Sequence, residues 1–203
     1  MQLATKAKLT VQEYLALDRK AEVKSEFLDG EMFAMAGGTE EHSLIASNLI
    51  RELGTQLKAK PCKVYTPDMR VKIEATGLCT YPDVHVVCGD ARFADARRDT
   101  LLNPNIIFEV LSASTAAWDR GQKFWHYRHL ESLTDYVLVS QDAWLVEHYT
   151  RQPNGVWLLE TMEGPDGVLN VLKLSSIDAQ VPLTEIFAKT GLKPETKPPK
   201  TLA

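Results

Sequence analysis

Two carboxylates and one ammonium in the middle of the chain have the residue types and spacing for hydrolytic chemistry: Asp83, Glu109 and Lys123. Asp83 opens the run Tyr81-Pro82-Asp83-Val84-His85-Val86-Val87-Cys88, and Glu109 follows 26 residues later in Asn105-Ile106-Ile107-Phe108-Glu109-Val110-Leu111. Both runs are rich in β-branched and apolar residues and read as strands. Strand side chains alternate faces, so Val84, Val86 and Cys88 oppose Asp83, His85 and Val87. In the second run Ile106, Phe108 and Val110 oppose Ile107, Glu109 and Leu111. Each strand thus has one apolar face and one face interrupted by a single acid. A buried carboxylate without a partner is strongly disfavoured, and a shared cation is the simplest compensation. The expected occupant is a hard cation, Mg²⁺ or Mn²⁺, on Asp83, Glu109 and the backbone carbonyl of Val110, with water completing its shell.

Ser112-Ala113-Ser114-Thr115 offers an N-cap for a helix expected from about Ala116 to Leu130. On it Lys123 shares an inward stripe with Ala116, Tyr127 and Leu130, and Asp119 lies one turn earlier. An ammonium beside two carboxylates and a metal is equipment for hydrolysing a phosphodiester: the metal polarises the phosphate and acidifies water, and the lysine orients that water.

The ordered set Pro82-Asp83, Glu109-Val110-Leu111-Ser112-Ala113-Ser114-Thr115, Asp119 and Lys123 resembles the PD-(D/E)xK restriction-endonuclease-like superfamily. More narrowly, it is similar to a bacterial endonuclease family formerly classed as a domain of unknown function. The likeness runs from about Leu9 to Leu192 and includes Glu26-Phe27-Leu28-Asp29-Gly30-Glu31 and His42. It implies an α/β (α+β) fold with a mixed central sheet flanked by helices, a metal-dependent endonuclease activity, DNA as the nucleic-acid partner, and a homodimer presenting two sites to two strands. One departure stands out. The superfamily places its lysine two residues after the second acid, where this chain has Leu111, and the resemblance implies that the lysine has migrated to Lys123.

Those residues need positioning elements. Thr10-Val11-Gln12-Glu13 is a capping box for a helix through about Leu17. Two short strands, Ser25 to Leu28 and Glu31 to Met35, flank Asp29-Gly30, a strong hairpin signal. Glu26 has two readings, a solvated strand acid or a third carboxylate reaching the metal, which the resemblance favours. A helix from about Glu40 to Lys58 carries Ile45, Leu49, Leu53 and Leu57 inward. His42, near its positive end, reads as a packing residue or as a contact to substrate phosphate. Strands are expected at Lys63 to Thr66 and Met69 to Ile73, with Pro67-Asp68 as a turn and Thr76 to Thr80 as a connection. Gly89 to Pro104, with Arg92, Arg97 and Arg98, reads as a solvated loop or a mobile flap bringing positive charge to a phosphate backbone. After the Lys123 helix, three antiparallel strands form a meander in which Trp144 and Trp157 fill a core or a dimer interface. A short strand from Val168 to Leu172, a helix starting near Pro182 and a tail from Lys193 to Ala203 complete the reading: one domain over 1–192.

The composition narrows the function. With 203 residues, 44% of them hydrophobic, the chain can bury one good core. Its net charge of −4 argues against a protein that coats nucleic acid nonspecifically, although a local basic patch remains compatible. No apolar run reaches the ~18–20 residues of a membrane span and no secretory signal pattern opens the sequence, so a cytoplasmic protein is expected. Cys62, Cys79 and Cys88 have no Cys-x-x-Cys spacing and read as three reduced thiols. No Gly-rich phosphate loop and no Gly-x-Ser-x-Gly is present, which argues against nucleotide-binding loops and serine nucleophiles. The competing functions are a catalytically inactive nucleic-acid- or protein-binding module on the same fold, and a hydrolase of another phosphate ester.

Overall fold

The computed structural model describes residues 8–164 and 170–193. Helix α1 (Val11–Asp18) starts on the capping box: the Thr10 hydroxyl accepts from the Glu13 N–H at 3.2 Å, and the Glu13 carboxylate accepts from the Thr10 N–H at 2.8 Å. Strands β1 (Ser25–Leu28) and β2 (Glu31–Ala34) turn at Asp29 and Gly30, both at positive φ (50° and 85°), as a two-residue hairpin turn of the I′ type requires. Helix α2 (Glu40–Gln56) is capped by Thr39 and buries Ile45, Leu49 and Leu53. Strands β3 (Cys62–Tyr65), β4 (Arg70–Lys72), β5 (Cys79–Thr80), β6 (Val84–Cys88), β7 (Thr100–Leu101) and β8 (Ile106–Leu111) follow. A continuous helix then comprises α3 (Ala116–Trp118), a π-helical turn (Asp119–Lys123) and α4 (Phe124–Tyr127). The chain continues through β9 (Asp135–Ser140), β10 (Leu145–Arg151), β11 (Trp157–Glu163), β12 (Val171–Leu174), β13 (Ala179–Pro182) and α5 (Leu183–Ile186).

The central sheet has six strands in the order β11-β10-β9-β8-β6-β3. Its one parallel pair, β8 and β9, is joined by the helix over 116–127, as a crossover between parallel neighbours requires. One face packs under α2, β12, β13 and α5, and there Val84, Val86, Ile106, Phe108 and Val110 are buried. The other face carries Val87, Ile107 and Leu111 against Tyr127, Tyr136 and a second sheet ordered β2-β1-β5-β4-β7. The two acid strands therefore split their side chains between faces as their alternation predicts.

Several expectations need correction. Cys62 and Cys88 face each other in the antiparallel register of β3 and β6 and form a disulfide, leaving Cys79 as the free, buried cysteine. Sequence spacing could not reveal that pairing, because only the strand register brings the two sulfurs together. The connection at Thr76 to Thr80 ends in β5, which pairs with β1 and β4. The loop between the acid strands contains β7, parallel to β4, and is tied to α1 by Arg19, which lies 2.6 Å from Asp95 and 2.7 Å from Asp99. The site helix ends at Tyr127 rather than Leu130, and α2 ends at Gln56 rather than Lys58. Asp68 sits in a turn beside Lys24, away from the acid strands. Trp144 stacks on Phe187 at 5.3 Å and Trp157 packs edge-on against Phe124, so the two half-buried rings cover the cores on opposite faces of the sheet. Beyond Lys193, the expected tail lies outside the described residues, as do Val168 and Leu169 of the expected strand.

Candidate active site

The pairing of β6 with β8 sets Val84 opposite Phe108, and extending that antiparallel register by one residue puts Asp83 opposite Glu109. Beyond this point the β6 side of β8 has no ladder partner, and the Asp83 carboxylate fills the gap by accepting the Val110 N–H at 2.7 Å. The Leu111 carbonyl turns the other way, accepting from Gln141 on the β9 side at 3.3 Å. Carbonyls alternate edges along a strand, so the Val110 carbonyl faces the Asp83 side.

Lys123 reaches this edge from the helix. Its buried Nζ lies 3.0 Å from Glu109, 3.1 Å from Glu26 and 3.5 Å from Asp119. The Tyr127 hydroxyl donates to Glu109 Oε1 at 2.7 Å. The π turn explains how Asp119, Lys123 and Tyr127 all point inward. At 3.6 residues per turn, positions four apart drift by roughly 40° each step; a wider turn between Asp119 and Lys123 offsets that drift. Leu111, at the superfamily's lysine position, is buried in the second core.

The charges are unbalanced. Burial pushes the Glu109 carboxyl up to about 8, against the pull of Lys123, and burial also raises Asp119. Burial opposes the Lys123 ammonium too, but Glu109, Glu26 and Asp119 outweigh it and hold its pKa well above the ordinary lysine value. One ammonium thus serves three acids, with Asp83 alongside. Among the described residues no group of three or more His, Cys, Asp or Glu side chains forms a metal cage. Two carboxylates and one carbonyl nevertheless fit Mg²⁺, which keeps several waters and takes only one or two carboxylates.

His42 stands at the start of α2, its N–H capped by Thr39, with Nε2 3.3 Å from Asp83. The Asp83 carboxylate raises its pKa. Gly38 lets the chain pass close over the ring, since a Cβ there would lie 2.9 Å from Nδ1. Glu26 reaches Lys123 and also accepts from the Thr80 hydroxyl, its cross-strand neighbour. The structure therefore brings Asp83, Glu109, Lys123, Asp119, Tyr127, Glu26 and His42 to one edge of the sheet. Thr80 was not anticipated: β5 is too short to leave a periodic signal.

Comparison with known proteins follows the same lines. Residues 11–182 match the Uma2 family, described as "putative restriction endonuclease". The uncharacterized protein sll1609 of Synechocystis sp. (strain ATCC 27184 / PCC 6803 / Kazusa) is 37% identical over 164 residues, 81% of this chain and 93% of that one. The uncharacterized protein slr1290 of the same organism is 35% identical over 182 residues, covering 89% of this chain and 92% of that one. The crystal structure of a putative nuclease belonging to DUF820 from Anabaena variabilis ATCC 29413 shares the fold, with a TM-score of 0.69 at 18% identity over 88% of this chain and 97% of that one. With its acid strands and site helix inside the matched span and two relatives above a third identical, the chain belongs to the Uma2 family and has a restriction-endonuclease-like fold.

Proposed function

We propose that this protein is a Mg²⁺- or Mn²⁺-dependent endonuclease that hydrolyses phosphodiester bonds in DNA. The observation that carries this reading is the Lys123 amine 3.0 Å from Glu109, with Asp83 fixed to the next residue's N–H. Asp83, Glu109 and the Val110 carbonyl would hold the cation, which when bound polarises the scissile phosphate and acidifies a water. Lys123 orients the attacking water and supplies fixed positive charge where phosphate charge builds up. Asp119 and Glu26 keep that lysine protonated and in place, Tyr127 orients Glu109, and His42 positions Asp83 from the opposite side.

A second reading is a catalytically inactive binding module on the same fold. It draws on the absence, among the described residues, of a three-group metal cage and on the occupation of Glu109 Oε1 by both Lys123 and Tyr127. One experiment separates the two: plasmid, linear, branched and single-stranded DNA incubated with Mg²⁺ or Mn²⁺, beside the Asp83→Ala protein and an EDTA control. Cleavage that needs metal and disappears in Asp83→Ala is the expected result. Uncut substrates throughout, or equal cutting by Asp83→Ala, would leave the binding module ahead. Assembly and compartment belong to the same proposal: a homodimer, in the cytoplasm. No helix among the described residues is long and apolar enough to cross a membrane. In a reducing compartment the Cys62–Cys88 pair would be held as thiols.

A further inference from the structure

The pairing of β3 with β6 sets two cysteines side by side. Cys62 and Cys88 are direct cross-strand partners, with Cα atoms 4.0 Å apart. Just outside them the Gly89 N–H donates to the Pro61 carbonyl at 2.7 Å, so the two form a non-hydrogen-bonded pair, the position where facing side chains come closest. Strand register therefore keeps the sulfurs within reach of each other in the bonded and the unbonded state. Both cysteines are half-buried at the rim of the core beneath α2. Cys79 is fully buried, and that burial pushes its thiol up to about 11, which leaves it inert.

The bond fastens a weakly held strand. β3 has four residues, none of them fully buried, and lies at the edge of the central sheet with β6 as its one neighbour there. On the face opposite the cysteines, the Tyr65 ring stacks on that of His85 at 5.3 Å. His85 is fully buried, and neither of its ring nitrogens has a hydrogen-bond partner among the described residues. Opening β3 admits water to that imidazole, so hydration of an unsatisfied polar group works against the pairing. The disulfide also closes the loop over residues 62–88, which contains β4, β5 and Asp83.

We propose that Cys62 and Cys88 form a redox switch that fastens and releases edge strand β3 alongside β6, the strand that follows Asp83. Closing is thiol–disulfide exchange with a small-molecule disulfide such as glutathione disulfide. One cysteine thiolate attacks it and expels a glutathione thiolate; the other cysteine then displaces the second glutathione from the mixed disulfide. The protein loses two electrons and two protons, and glutathione disulfide is reduced to two thiols. Reduced glutathione reverses both steps, and half-buried sulfurs leave it a path. The closed form is the more stable, because the cross-link removes conformational freedom from the unfolded chain.

The test uses the full chain, treated with glutathione disulfide or with reduced glutathione, without denaturant in either step. After removal of small molecules, thiols are counted in guanidinium. One is expected in the oxidised protein, Cys79, with no glutathione retained in the intact mass, and three in the reduced protein. The thermal midpoint of the oxidised form should lie about 5–10 °C above that of the reduced form, and amide exchange along β3 should be slower in it. Cys62→Ser should melt at the reduced value under both treatments. Three thiols after glutathione disulfide, or retained glutathione, overturns the switch. A disulfide that reduced glutathione cannot open in the native protein also overturns it, making the pair a permanent staple. Equal midpoints and equal β3 exchange in the two wild-type forms do the same, whatever the variant shows. None of these readouts depends on DNA cleavage, so the switch and the nuclease reading fail separately.

Discussion

At the residue scale, Glu109 Oε1 receives two donors, the Lys123 ammonium at 3.0 Å and the Tyr127 hydroxyl at 2.7 Å. Tyr127→Phe removes one of them without changing the packed ring, leaving a buried carboxylate short of a partner. The expected loss is about 1–3 kcal/mol of folding stability, read from the midpoint of urea denaturation; an unchanged midpoint would show that Glu109 does not depend on that hydroxyl. Asp83, Glu109 and Lys123 were legible in the sequence because strand parity and the helical stripe fix side-chain direction without knowledge of the fold. Glu26 was ambiguous for the opposite reason. Its place beside Lys123 depends on pairing with Thr80 in a strand of two residues, and such a contact between distant segments leaves no local pattern.

At the element scale, the π turn decides whether the helix can serve the site. Asp119 and Lys123 are its first and last residues, and Gln122 within it is exposed. Inserting an alanine after Gln122 should rotate Asp119 relative to Tyr127 by about 100°, turning one of the lysine's carboxylate partners away. Circular dichroism should show helix content retained, and cleavage should fall to background. Wild-type cleavage by the insertion protein would mean that this register is incidental. The sequence announced a helix but not this turn, since acid, lysine and tyrosine at four-residue spacing also suit a plain α-helix. The same limit applies to β5 and β7. Both have only two residues, and both are held by partners far away in the chain.

At the scale of the whole molecule, the longer elements and the central sheet were readable, because its strands are apolar runs rich in β-branched residues and Asp29-Gly30 marks the hairpin. The edges were less so. With Trp144 and Trp157 half-buried against the two cores, the exposed apolar surface of the meander lies on and beside edge strand β11: Val156 is 59% exposed, Leu158 50% and Leu159 45%. An uncovered apolar edge strand invites pairing with another chain, and a second copy related by a two-fold axis would cover both edges at once. The expected species in sedimentation at micromolar concentration is a dimer, and Leu159→Lys should shift it towards monomer. A wild-type monomer would refute this arrangement and leave β11 as a solvated edge.

In the proposed mechanism Lys123 does from the helix what Leu111 cannot do from the strand. The direct measurement is the single-turnover rate of DNA cleavage with saturating metal for wild type, Lys123→Ala and Lys123→Arg, each first shown to be folded by thermal melting. Lys123 is buried among three acids, so Lys123→Ala should melt earlier, and its cleavage is compared well below its own transition. The predicted result is a loss of ~10²-fold or more in Lys123→Ala, with little recovery in Lys123→Arg, whose planar fork cannot replace a compact ammonium. Cleavage by folded Lys123→Ala at the wild-type rate would contradict the account.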